Sequence, residues 1–102
     1  MRPLLLIEDD PIMGESLMQR FQLEGFEVTW CRRLGEAEMD PAQAWAAVIS
    51  DVRMPDGLAT TWFASLPTEV RALPWFFLTR YGSVNDAVAA IRLGAREYLT
   101  KP

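Results

Sequence analysis

The chain has 102 residues, of which 50% are hydrophobic and 24% are charged, a composition that fits one globular domain and leaves no room for a second. The net charge of −4 argues against direct contact with nucleic-acid backbones, and the absence of histidine excludes a histidine-ligated zinc site and a catalytic histidine. Cys31 is the only cysteine, so an internal disulfide is impossible, and no apolar stretch approaches the roughly 18 residues that span a bilayer.

Short apolar runs alternate with segments of helical period along the chain. In chain order the predicted elements are a strand at 4–7, a helix between 11 and 25, a strand at 27–31, a short helix at 34–39, a strand at 47–50, a turn at 54–57, a helix at 58–66, a strand at 75–78, a helix at 84–93 and a strand at 98–100. Local signals support several of these boundaries, because Pro11 suits a first helical turn, Ser83 is a helix N-cap and Gly94 ends the helix before it.

This alternation of strands and helices predicts a parallel sheet with helices on both faces. The uninterrupted apolar runs lack an in-and-out pattern, which is typical of central strands that are covered on both sides, whereas the 27–31 strand has Val28 and Trp30 on one face. We therefore predict a doubly wound α/β fold with five strands. No helix follows the fifth strand, so we expect either that the chain is cut from a longer protein or that a neighbouring molecule completes it.

Polar side chains follow four of the predicted strands. Glu8 and Asp9 come after the first strand, Asp51 after the third, Thr79 after the fourth and Lys101 after the fifth. Since ligands bind at the carboxyl edge of open parallel sheets, we expect these groups to share one pocket. Three carboxylates suit a hard divalent cation, and a hydroxyl with an ammonium suits phosphoryl oxygens. The set therefore predicts a phosphorylation site.

These residues lie in motifs that resemble the receiver domain of bacterial two-component response regulators, over essentially the whole chain. The motifs are Ile7-Glu8-Asp9-Asp10-Pro11, Ser50-Asp51-Val52-Arg53-Met54-Pro55, Leu78-Thr79 with Gly82-Ser83, and Gly94-Ala95 with Tyr98-Leu99-Thr100-Lys101-Pro102. The part from 83 to 102 most resembles receivers of enhancer-binding (sigma-54-dependent) transcription activators. The resemblance implies a flavodoxin-like strand order, 2-1-3-4-5, and a receiver domain at 1–102 that is truncated before its last helix.

The resemblance also assigns roles at the predicted pocket. Asp51 would accept a phosphoryl group from a phosphohistidine, which is covalent catalysis by a carboxylate. Asp9, Asp51 and the backbone carbonyl of Arg53 would hold Mg²⁺, and Glu8 would assist. Because neighbouring carboxylates repel one another, the cation would assemble the site and offset charge on the phosphoryl oxygens.

Two further residues would recognise the phosphoryl group, and one would transmit its presence. Thr79 would hydrogen-bond one phosphoryl oxygen and Lys101 would pair with another. Movement of Thr79 would vacate space into which Tyr98 rotates, so that the surface beside the 84–93 helix changes. Tyr98 can also be read as simple core packing with a solvated hydroxyl.

The resemblance implies partners as well. A sensor histidine kinase or a phosphotransfer protein would supply the phosphoryl group, and an output domain after residue 102 would act on transcription. A homodimer is compatible with the family, whereas neither nucleic acid nor a membrane is expected to touch this segment. The domain would catalyse only its own phosphorylation and dephosphorylation, and we expect it in the cytoplasm because no signal peptide is present.

Three departures from the family pattern bear on these roles. Glu8 stands where aspartate is commoner, and the 54–57 segment is about two residues shorter than usual. Arg80 stands where the family usually has a small residue, so a guanidinium could hinder access to Asp51 or contact the phosphoryl group. Arg53 and Tyr81 flank the predicted path of attacking water. We predict that replacing Arg80 with alanine changes the lifetime of the aspartyl phosphate.

Two alternative functions remain open. An aspartate nucleophile with Mg²⁺, threonine and lysine also describes phosphohydrolases of the haloacid dehalogenase type, but these need an acid two residues after the nucleophile, where this chain has Arg53. A receiver-like scaffold that no longer accepts phosphate is the other, since Arg80 and the short loop could block the site. Asp10 is best explained as a helix-start acid, and the four tryptophans as packing residues.

Overall fold

The main sheet of the protein is parallel and five-stranded. A computed structural model describes residues 2–37, 39–40, 42–80 and 82–101. The strands of this sheet are β1 (Arg2–Ile7), β2 (Phe26–Cys31), β3 (Ala47–Asp51), β6 (Trp75–Thr79) and β7 (Glu97–Thr100), while β4 (Arg53–Met54) and β5 (Gly57–Leu58) form a separate small hairpin. The spatial order is β2-β1-β3-β6-β7, which is the predicted 2-1-3-4-5 when the hairpin is not counted. The predicted doubly wound fold is confirmed.

The strand register brings the carboxyl ends of neighbouring strands level. Ile7 of β1 pairs with Cys31 of β2 and with Ser50 of β3, and Thr79 of β6 pairs with Thr100 of β7. Residues that directly follow these positions therefore emerge at one edge of the sheet.

Two of the predicted helices are confirmed with their caps. Helix α1 (Pro11–Leu23) begins after Asp10, whose side chain accepts hydrogen bonds from two backbone amides of the first turn. Helix α4 (Val84–Arg92) begins after Ser83, whose hydroxyl accepts from the Asp86 amide. The helix-start reading of Asp10 is therefore correct, since a capping carboxylate satisfies amides that have no partner within the helix.

The connections on either side of β3 differ from the sequence-based expectation. The predicted 58–66 helix forms as the shorter α2 (Ala59–Ala64), which ends before Pro67 as expected. A further short helix that was not predicted, α3 (Thr68–Arg71), follows Pro67. The predicted 34–39 helix was wrong, since the described residues of this segment form one 3₁₀ turn, Leu34–Glu36, and residues 37 and 39 are not helical. The carboxylate of Asp56 accepts hydrogen bonds from the first two amides of that turn, at 3.0 Å each, so a residue distant in sequence holds the start of the turn.

Helices cover the two faces of the sheet unequally. On one face α2, α3 and α4 bury a core around Phe63, Trp75 and Phe77, whose rings lie 4.9 and 5.3 Å apart in edge-to-face pairs with Phe63. On the other face α1 packs on a smaller cluster with Leu4, Leu6 and Ile49 at its centre. An apolar groove continues from that cluster toward β7, where Leu99 is 46% exposed.

Among the residues that the structure describes, none of the helices combines the length and apolar character needed to traverse a bilayer.

Candidate functional site

Three acidic side chains converge at the carboxyl edge of the sheet. Glu8 and Asp9 follow β1, and Asp51 ends the neighbouring β3. One carboxylate oxygen from each of the three lies within 4.8 Å of the others. Glu8 is 1% exposed, so water cannot screen its charge from the other two as it would at a surface. The predicted convergence of these acids is therefore present in the fold.

Lys101 reaches the same cluster from the far side of the sheet. Its backbone amide donates to the Thr79 carbonyl at 2.7 Å, which continues the pairing of β6 with β7 by one residue. From that position its Nζ donates to Glu8 Oε1 at 2.7 Å and to Asp51 Oδ2 at 3.0 Å. The ammonium thus partly neutralises the cluster and holds two carboxylates from different strands together.

The electrostatics of the buried pair follow from this geometry. Burial raises the pKa of Glu8, the Lys101 ammonium and the Asp10 amide oppose that rise by hydrogen bonding, and the Asp51 charge adds to it. For Lys101, burial acts to lower the pKa, but the combined hydrogen bonds and charges of Glu8 and Asp51 outweigh it and raise the pKa. Lys101 therefore carries its positive charge throughout the neutral range.

The hydroxyl residues lie beside the acids. Thr79 at the end of β6 is 2% exposed, and Gly82 packs so closely that a Cβ there would lie 2.9 Å from the Thr79 methyl and 3.0 Å from Tyr98 Cε1. Burial and the Asp86 charge raise the pKa of Tyr98, while Arg53 and the Thr79 side chain lower it. The Tyr98 hydroxyl is shielded from solvent and has no hydrogen bond of full geometry. Tyr98 packs on the core, as the alternative reading expected, but the solvated hydroxyl of that reading is wrong.

Arg80 lies across the entrance to the site. Its guanidinium is 3.7 Å from Asp10 Oδ2, in a pair whose side chains are 59% and 39% exposed. Two small recesses adjoin Asp51, one lined also by Arg53, Thr79 and Arg80, and the other lined also by Asp9, Asp10, Arg80 and Lys101. Arg80 thus lines both recesses. Tyr81, which sequence reasoning placed near the same path, is outside the described residues.

The donor set fits a magnesium ion. Its members are carboxylate oxygens, the hard ligands that this cation prefers, and they come from adjacent strands that hold them close together. Glu8 and Asp51 would have to share their negative charge between the cation and the Lys101 ammonium.

Sequence reasoning missed two residues that contact this acidic turn. The Trp30 indole and the Arg32 guanidinium hydrogen-bond the backbone carbonyls of Glu8 and Asp9. The alternation of residue types along β2 indicates that Trp30 is on a partly buried face. It does not reveal the hydrogen bond to Glu8, because the two residues are 22 positions apart in the sequence.

Comparison with known proteins yields a family model and close relatives. The model described as "Response regulator receiver domain" matches residues 4–102. The response regulator protein FleR of Pseudomonas aeruginosa is 37% identical over 101 residues, which are 97% of this chain and 21% of that protein. The C4-dicarboxylate transport transcriptional regulatory protein DctD of the same organism is 34% identical over 102 residues, 97% of this chain and 22% of that protein. The chain therefore spans about a fifth of these relatives.

Solved structures give the same result. The non-phosphorylated HemR receiver domain from Leptospira biflexa is 31% identical, with a TM-score of 0.90 over 100% of this chain and 83% of that chain. The beryllofluoride-activated NtrC4 receiver domain dimer is 30% identical, with a TM-score of 0.87 over 100% of this chain and 85% of that chain.

Proposed function

The chain belongs to the response regulator receiver domain family, and from this premise we propose that it is a phosphorylation switch whose phosphoacceptor is Asp51. The resemblance to receivers of enhancer-binding activators is confirmed by the relatives. Receiver domains are signalling domains rather than turnover enzymes. In our proposal residues 1–102 form the receiver unit, and a sensor histidine kinase or phosphotransfer protein supplies the phosphoryl group.

One observation carries this proposal. The side chains of Glu8, Asp9 and Asp51 converge within 4.8 Å, and Lys101 donates to two of them. An ammonium and three carboxylates in one partly buried pocket are costly to desolvate, so a purely structural role would be poorly served by this arrangement. A site that must bind a cation and a phosphoryl group needs these groups together.

The reaction follows from the position of each group. An Asp51 carboxylate oxygen attacks phosphorus, the bond from phosphorus to the donor nitrogen breaks, and the donor imidazole keeps the electron pair. Glu8, Asp9, Asp51 and the Arg53 carbonyl would hold Mg²⁺, which supplies positive charge opposite the phosphoryl oxygens. Lys101 exchanges its contact with Asp51 for a phosphoryl oxygen, and the Thr79 hydroxyl donates to another.

The signal would pass from Thr79 to Tyr98. The two side chains already lie together beneath Gly82, so a shift of Thr79 toward the phosphoryl group changes the packing around the tyrosine ring. Tyr98 lies on β7 next to α4, and the change would alter that surface. A beryllofluoride complex should therefore shift the Tyr98 ring resonances, and identical Tyr98 resonances with and without beryllofluoride would count against this route.

The output and partners of the domain are proposed from its relatives. DctD is a transcriptional regulatory protein, and the NtrC4 receiver forms a dimer when activated by beryllofluoride. We infer that an output domain beyond this segment regulates transcription, that phosphorylation favours a homodimer, and that the protein works in the cytoplasm. This segment itself, with a net charge of −4, is not expected to contact DNA.

Intact mass after incubation with acetyl phosphate and Mg²⁺ tests the proposed function. We expect a mass increase of one phosphoryl group that persists on the time scale of the measurement and is absent in Asp51→Asn. No mass increase would support the scaffold, for which the Arg80 contact with Asp10 at the entrance is the favouring observation. Continuous phosphate release without a phosphorylated species would support a phosphohydrolase.

A further inference from the structure

Two side chains, one in β2 and one directly after it, hold the backbone of the acidic turn that follows β1. The Trp30 Nε1–H donates to the Glu8 carbonyl at 2.8 Å, and the Arg32 Nη2 donates to the Asp9 carbonyl at 3.1 Å. We propose that Trp30 and Arg32 are positioning residues that fix this turn in the arrangement required for a divalent cation. This inference rests on the proposed function, because it concerns the same cation site.

The position of Trp30 is set by a close fit against α1. Gly14 lies in the first turns of that helix, and a Cβ there would be 2.1 Å from Trp30 Cζ2 and 2.4 Å from Cε2. The indole ring therefore occupies a notch that only glycine leaves open, which limits the ring to few orientations. A fixed ring directs its single N–H donor at one carbonyl, that of Glu8.

Every polar group of Glu8 consequently has a partner. Its amide donates to the Cys31 carbonyl at 3.0 Å, its carbonyl accepts from Trp30, and its carboxylate accepts from Lys101 and from the Asp10 amide. The first two contacts come from β2 and determine where the backbone lies. The last two determine where the carboxylate points.

Arg32 fixes the next peptide unit. Its guanidinium lies 6.0 Å from the Trp30 ring centre while it donates to the Asp9 carbonyl, so the two side chains support each other. Two successive carbonyls are thereby tied to Trp30 and Arg32, and the Asp9 side chain that projects between them stays near Glu8 and Asp51.

Holding the turn matters because its side chains repel one another. The Lys101 ammonium offsets the repulsion between Glu8 and Asp51, but both carboxylates still repel Asp9. In the absence of a cation Asp9 therefore moves away unless the backbone of the turn prevents it. A turn that is held in advance does not need to be ordered when the cation binds, which favours binding. Residues that orient metal ligands in this way commonly change metal affinity by 10- to 100-fold when they are replaced.

The Trp30→Phe variant tests the indole donor. Phenylalanine retains an aromatic ring beside Gly14 but cannot donate to Glu8, so we expect the Kd for Mg²⁺, measured by calorimetry, to rise about tenfold. Trp62→Phe is the matched control, because Trp62 packs on Trp75 at 5.8 Å on the opposite face of the sheet. The control should bind Mg²⁺ like the wild-type chain.

The Arg32→Met variant separates positioning from charge. Removing a positive charge near the acids would by Coulomb attraction alone strengthen Mg²⁺ binding. Loss of the hydrogen bond to the Asp9 carbonyl would weaken it. We expect weaker binding, and since Arg32 is exposed, this variant should fold even if Trp30→Phe does not.

Tryptophan fluorescence gives an independent readout. Because the Trp30 N–H is bonded to the backbone of the turn, Mg²⁺ should change its emission, and this change should vanish in Trp30→Phe but remain in Trp62→Phe. Unchanged Mg²⁺ affinity in Trp30→Phe, or tighter binding in Arg32→Met, would overturn the inference while the proposed function stands. A wild-type chain that binds no Mg²⁺ would overturn both.

Discussion

Replacing Lys101 with methionine tests how strongly the acidic pocket depends on its ammonium. The Lys101 and Glu8 side chains are only 5% and 1% exposed, and Nζ donates to Glu8 at 2.7 Å and to Asp51 at 3.0 Å. Methionine retains an unbranched apolar side chain while it removes the charge and the donors. The substitution therefore separates the ionic contacts from the packing.

The expected loss of stability follows from the burial of the pair. Removing one partner of a buried ion pair costs about 3–5 kcal/mol, and hydrogen bonds to charged groups contribute about 1.5–3 kcal/mol each. Burial already raises the pKa of Glu8, so the unpaired carboxyl can take up a proton and limit the loss. We expect the free energy of unfolding of Lys101→Met to fall by about 3 kcal/mol near pH 8 and by less near pH 5.

Urea unfolding in EDTA measures this difference. The control is Arg20→Met, since Arg20 pairs with Glu24 at 3.3 Å on an open surface where the side chains are 73% and 54% exposed. An exposed pair of that kind contributes about 0.3–0.5 kcal/mol. The loss in Lys101→Met should therefore exceed the loss in the control several-fold.

Added Mg²⁺ should narrow the gap between Lys101→Met and the wild-type chain. Without the ammonium, the three acids attract the cation more strongly, and a ligand at about 100 times its Kd stabilises the folded state by about 2.7 kcal/mol. Equal stability of Lys101→Met and wild type in EDTA would refute the reasoning. So would a stability gap that does not respond to Mg²⁺.

Three further predictions concern neighbouring groups. Arg80→Ala should shorten the lifetime of the phosphate on Asp51, measured by loss of phosphoprotein with time, because Arg80 lines both recesses beside that residue. Equal rates of phosphate loss in the variant and wild type would remove Arg80 from the mechanism. Gly14→Ala should destabilise the chain by about 1–3 kcal/mol in urea unfolding because a Cβ meets the Trp30 ring, whereas glycine-to-alanine changes in helices normally stabilise. The pKa of Lys101 is raised above its ordinary 10.5, so its contribution to the free energy of unfolding is full below pH 10.5 and is lost as pH rises through the folded-state pKa. If wild type stays more stable than Lys101→Met at higher pH, this prediction is contradicted.

The strands and the acidic pocket were largely predictable from the sequence. Apolar runs followed directly by polar residues mark strand ends, and the known geometry of parallel sheets puts those ends at one edge. The positions of Asp51, Thr79 and Lys101 could therefore be predicted, although their proposed roles remain predictions. The caps of α1 and α4 were equally readable, because Asp10 and Ser83 act on amides only two or three residues away.

The failures occur where distant residues decide local structure. The 34–39 segment was predicted as a helix, yet its described residues form one 3₁₀ turn whose first amide bonds Asp56, 22 residues away. The short α3, which was not predicted, also depends on packing against the sheet, because Val70 is 1% exposed. Helices this short gain little from intrinsic propensity, so tertiary contacts determine whether they form.

The sequence by itself determined the fold class and the family, because both depend on local patterns of residues. It also determined which acids meet, because the carboxyl ends of parallel strands lie along one edge of the sheet. Only the tertiary structure decided what holds those acids in place. The indole of Trp30 and the guanidinium of Arg32 reach the acidic turn through hydrogen bonds that span 22 and 23 residues. Such contacts depend on strand register and on the space left by Gly14, and neither is expressed in the residues beside the turn.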